Sequence, residues 1–159
     1  MILVTLGTQK QPFTRLLQKI DDSSINEKIV VQAGYTVYNS KKMQIFDFIP
    51  YDEMNKLIDE ADLIITHGGT GSITMPLKKQ KKVIACPRLA KYGEHVDDHQ
   101  TQIVDIFSDE GYIMALNEND NLDDIYNKIQ EFKPKKYVSN TKNFIKNLKA
   151  IIDGDLWKK

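Results

Sequence analysis

The sequence predicts an α/β fold: an open, doubly wound parallel sheet of about six strands, Rossmann-like in organisation. Two observations carry this. Short apolar runs rich in β-branched residues alternate with longer segments of helical period, the signature of βαβ units. The runs are also cut short by glycine, proline or polar clusters, which break strands. Residues 2–6 form the first run, stopped by Gly7 and Thr8. Phe13, Leu16, Leu17 and Ile20 then lie on one face of a helix. Strands follow at 28–32 and 43–49, a helix at 51–60, and a strand at 62–66 that ends in a glycine-rich turn. A helix is expected over 72–79, with Pro76 in its first turn, where proline is tolerated. A strand at 82–86 is stopped by Pro87. A helix at 95–108, a strand at 112–116 and a helix at 122–132 complete the body. Residues 132–136 read as a hinge before a terminal amphipathic helix over 140–152.

These elements divide the chain into a ligand-binding α/β domain, residues 1–132, and a basic hinge and helix, residues 133–159. The 159 residues suffice for one domain whose core needs no disulfide or metal. Lys plus Arg and Asp plus Glu both number 22, so a general nucleic-acid binder is excluded. The charge is unevenly spread. Residues 133–159 carry eight lysines against Asp153 and Asp155, a net +6, and the body carries −6. A basic tail on an acidic body suits docking to something negative, or is a solvated helix. Cys86 is the only cysteine, which points to a reducing compartment. The opening residues lack the pattern of a signal peptide. No run approaches the roughly 18 apolar residues of a membrane span. Membrane association is therefore expected to be peripheral.

In such a sheet, ligands bind at the carboxyl ends of the strands. Three segments converge there. The strongest is His67, Gly68, Gly69, Thr70, Gly71 and Ser72. A glycine-rich turn entering a helix brings backbone N–H groups and the positive end of the helix dipole against an anion, and Thr70 and Ser72 add hydroxyls. It is neither a P-loop nor a dinucleotide fingerprint; the plain alternative is a tight turn with a capping serine. The second segment is Gly7 and Thr8, after the first strand. The third, residues 88–100, concentrates Glu94, His95, Asp97, Asp98, His99 and Gln100, groups suited to sugar hydroxyls or to a helix cap. His95 and His99 are spaced to share a helix face, but a metal site lacks supporting ligands and none is expected. Cys86 reads as a packed residue, and His67 either as a hydrogen-bonded strand-end residue or as a ligand contact.

Together, residues 4–9, the turn at 67–72 and Asp98, His99 and Gln100 resemble the C-terminal, donor-binding half of family 28 glycosyltransferases. The likeness is strongest to small bacterial polysaccharide-synthesis subunits of the PssE type. It extends to the small subunit of the eukaryotic two-chain UDP-GlcNAc transferase. The resemblance implies one half of a split GT-B hexosyltransferase that uses a UDP-linked donor, with no bound cofactor and no metal. It implies a membrane-anchored partner subunit carrying the acceptor half, and transfer to a polyprenyl-diphosphate-linked sugar at the inner face of the cytoplasmic membrane. In the capsule and exopolysaccharide relatives the donor is often UDP-galactose. Carried over by position, Gly69, Thr70, Gly71 and Ser72 hold the diphosphate, Gly7 and Thr8 line the cleft, and Asp98, His99 and Gln100 meet the donor sugar. Where many relatives place a ribose-binding glutamate, this chain has Met75, and Glu94 is the candidate substitute. His67 and His99 are the catalytic candidates, with the base expected on the partner. The competing expectation is a non-catalytic enhancer that docks on an already competent enzyme. A Rossmann oxidoreductase fits less well, because the first turn lacks its glycines.

Overall fold

The structure is a computed structural model and describes residues 1–138 together with Lys146 and Lys149. Apart from those two lysines, the helix expected over 140–152 lies outside the described residues. Six parallel strands form one sheet: β1 (Ile2–Thr5), β2 (Ile29–Gln32), β3 (Met43–Phe46), β4 (Leu63–His67), β5 (Lys82–Cys86) and β6 (Met114–Ala115). Their order is β3-β2-β1-β4-β5-β6. Chain direction across the sheet therefore reverses between β1 and β4, which opens a crevice at their carboxyl ends. β1 pairs on both sides, Ile2 standing opposite Ile29 and Leu63.

Alternation along the strands sorts their side chains onto two buried faces. Ile2, Val4, Val31, Ile65 and Ile84 pack under α1 (Thr14–Asp22) and α5 (Leu122–Glu131). Leu3, Val30, Ile64, Val83 and Ala85 pack under α2 (Tyr51–Glu60), α3 (Thr70–Lys78) and α4 (His99–Asp109). Each fully buried large apolar side chain contributes roughly 2 kcal/mol. The expected doubly wound α/β architecture is thus the observed one.

Local departures have physical reasons. Pro76 is not in the first turn but is the seventh residue of α3, so the Ser72 carbonyl lacks the N–H it would otherwise accept. α4 begins at His99, not at residue 95, because residues 90–92 form a separate 3₁₀ turn closed by Gly93 in the left-handed conformation. His95 and His99 consequently do not share a helix face. The expected hinge is tied down: Lys135 N–H donates to the Gly111 carbonyl, and Tyr137 packs edge-on against Tyr112.

Candidate functional site

The crevice between β1 and β4 is built from backbone up. β1 ends in Gly7, whose φ of +75° is left-handed and favours glycine. A Cβ there would lie 2.5 Å from His67 Nε2. Gln32, at the end of β2, brackets the same peptide: Gly7 N–H donates to Oε1 at 3.1 Å, and Nε2 donates to the Gly7 carbonyl at 3.0 Å. A side chain thereby extends the β1–β2 ladder past its last backbone pair.

Across the crevice, β4 ends in His67, buried to 7% exposure. Gly69 N–H donates to His67 Nδ1, and Nε2 lies 3.0 Å from Ser72 Oγ. Gly68 packs so closely on Gln100 and Val104 that a Cβ would clash with both. Gly69 is the N-cap of α3 and no side chain caps the helix. The amides of Thr70, Gly71 and Ser72 precede the first intrahelical bond, from Ile73 N–H to the Gly69 carbonyl. The first turn of α3 carries no acidic residue. Unpaired amides, a positive dipole end and no competing carboxylate are features that suit an anion.

The floor is a buried cationic knot that the sequence reading did not single out. Arg88, 1% exposed, donates from Nη1 to the carbonyls of Gln11 and Glu94 and from Nη2 to that of Leu6. It ties the loop after β1 to the loop after β5 and stacks over Phe13. Burial lowers its pKa to about 10, so it stays charged at neutral pH. Arg15 pairs with Glu94 through two nitrogens, Nε at 3.0 Å and Nη2 at 3.0 Å. Available signals were an arginine directly after Pro87 and a glutamine ending the apolar run of β2.

The expected site residues fall into two groups. Gly7, Gly69, Thr70, Gly71 and Ser72 gather at the crevice, and Thr8 is exposed at its lip. Glu94 is not left open to a ribose: it is 3% exposed, bound by Arg15, and accepts Leu89 N–H. Gln100, expected on the sugar, is 5% exposed and turned inward to His67. Asp98 accepts Ala90 N–H and so shapes the 3₁₀ turn, while His99 starts α4 with its N–H on Asp97. Burial first, and the Arg88 charge second, push His67 down to about 4. The ring is therefore neutral at physiological pH and bonded at both nitrogens, an arrangement for holding neighbours in place. Cys86 is fully buried, and burial pushes its thiol up to about 11, which suits packing. Beside Ser72 a cavity of about 80 Å³ reaches Met75, Thr5 and Gln32.

Among known proteins the matches point one way. The UDP-N-acetylglucosamine transferase subunit ALG13 of Saccharomyces cerevisiae is 40% identical over 111 residues, covering 65% of this chain and 53% of that protein. The subunit of the same name from Candida albicans is 31% identical over 128 residues, covering 77% and 38%. The chain thus spans about half or less of the length of these curated relatives. An NMR solution structure of ALG13 superposes with a TM-score of 0.62 at 21% identity, covering 92% of this chain and 94% of that one. The glycotransferase of kitacinnamycin superposes at 0.60 with 15% identity, covering 94% and 37%. At these identities the structures speak for the fold alone. The expected bacterial polysaccharide-synthesis subtype gains no support from these relatives. Residues 1–154 match the glycosyltransferase family 28 C-terminal domain, and this chain belongs to that family.

Proposed function

We propose that this chain is the donor-binding subunit of a two-chain GT-B glycosyltransferase. The observation that carries the reading is the uncapped start of α3, set in the β1–β4 crevice with the Ser72 hydroxyl at its mouth. Such a site binds a nucleoside diphosphate through amide and hydroxyl donors and stabilises it as it departs from the sugar. The matched relatives are named for UDP-N-acetylglucosamine, so that sugar replaces UDP-galactose as the proposed donor, and capsule synthesis is dropped. A membrane-anchored partner supplies the acceptor half and the general base, and the acceptor is a lipid-linked sugar at the cytoplasmic membrane face. The basic segment 133–159 is the proposed contact with that partner.

The test is titration calorimetry of the full chain with UDP-N-acetylglucosamine, UDP-galactose and UDP, followed by transfer assays with and without the partner. Binding of UDP-N-acetylglucosamine in preference to UDP-galactose, with turnover only when the partner is present, is the expected result. Full turnover by the isolated chain overturns the split-enzyme reading. One observation favours the enhancer reading: Met75 is apolar and Glu94 is already satisfied, so neither presents a carboxylate to a ribose. Ser72→Ala separates the two. Lost transfer with partner binding intact supports donor binding, and unchanged transfer supports the enhancer.

A further inference from the structure

We infer that Gln100 is a positioning residue for this site: it fixes the tautomer of His67 and thereby turns the Ser72 hydroxyl proton outward, toward the bound diphosphate. The inference rests on the diphosphate reading above and deepens it.

The chain of constraint starts in the backbone. The N–H groups of Gly68 and Arg88 point at one atom of the Gln100 side chain, at 2.9 and 3.0 Å. Backbone N–H groups only donate, so that atom is the carbonyl oxygen and the amide cannot be flipped. The Gln100 NH₂ therefore faces His67 Nδ1, at 3.2 Å. An NH₂ also only donates, so Nδ1 must be bare. Gly69 N–H, 3.1 Å from the same nitrogen, makes the same demand. A neutral imidazole bare at Nδ1 carries its proton on Nε2.

That proton is donated to Ser72 Oγ at 3.0 Å. Among the described residues the serine oxygen has this one partner, so its own proton is left to point away from the ring. In the opposite tautomer, bare Nε2 would draw the serine proton inward and leave only lone pairs facing the ligand. The relay thus decides whether Ser72 meets an anion with a proton or with a lone pair. Sterics lock it further. The ring lies between Gly7 and Gly69, and a Cβ on either would overlap it. The charged or titratable groups facing the ring, Arg88 and His95, both disfavour its protonation.

Two measurements test this on the full chain. Two-bond ¹H–¹⁵N spectra of the ligand-free protein at neutral pH should show His67 protonated at Nε2; protonation at Nδ1 overturns the inference. The second is a double-mutant cycle on UDP affinity, with Gln100→Glu and Ser72→Ala. A carboxylate at position 100 still accepts the two backbone N–H groups but needs a proton on Nδ1. Each single change is expected to weaken UDP binding about tenfold, and the second change to add less than about twofold to the first. Fully additive losses overturn the coupling. If Gln100→Glu does not fold, the wild-type spectra still decide. If the wild type fails to bind UDP, the proposed function falls while the tautomer result stands by itself.

Discussion

His67 has a consequence for acid stability. Its pKa in the folded chain is about 4, against about 6.5 for an unperturbed histidine. Between those values the unfolded chain binds the extra proton and the folded chain does not, so stability is lost as pH falls from about 6.5 to about 4. The full loss from this one group is about 3 kcal/mol. Urea titrations across that range should show a falling midpoint, and His67→Gln should flatten that part of the dependence. Arg88 is the other residue under load. Arg88→Leu strands the carbonyls of Leu6, Gln11 and Glu94, and is expected to cost roughly 3 kcal/mol or more. Thermal melts check it. The gathering of Gly7, the glycine turn and Ser72 at one crevice was legible because each follows a strand at the carboxyl edge of the sheet. Glu94 and Gln100 were legible only as polar residues near the site. Which way a polar side chain turns is decided by partners far apart in sequence, here Arg15 and His67, and no local pattern records them.

The start of α3 separates what the fold needs from what a ligand needs. Gly69 is required by the fold, since its Cβ would strike the His67 ring. Gly71 is the second residue of the same helix, and a Cβ there would meet nothing within 4 Å. Gly71→Ala should therefore leave stability unchanged or raise it, by up to about 1 kcal/mol from helix propensity. If a diphosphate approaches this amide closely, the same change should weaken UDP binding. Melting temperature and calorimetry on one sample give both answers. Gly69→Ala should lower both stability and affinity. Strands and helices were legible here because apolar period and breakers agree; the bounds of α2 and β5 match the expectation residue for residue. α4 was read too early because Glu94, His95 and Asp97 look like a helical first turn. In the structure Glu94 is drawn off by Arg15, and Asp97 accepts the His99 N–H.

At the scale of the whole chain, the acidic body and the basic segment proposed to dock carry separate predictions. Removal of residues 139–159 is expected to leave UDP affinity intact and to abolish co-purification with the partner subunit; retained co-purification removes the docking role. Strand order has a different bearing. β1 precedes every other described element in sequence, yet it lies in the middle of the sheet, with β2 on one side and β4 on the other. Its second neighbour is separated from it by 61 residues, the spacing of the bonded pair Thr5 and Thr66. Loop closure of that length slows the search for native pairing. A nascent chain leaving the ribosome therefore carries an apolar central strand with one flank open until His67 has emerged. The β1–β4 seam and the glycine turn at the crevice are thus supplied by one stretch of synthesis.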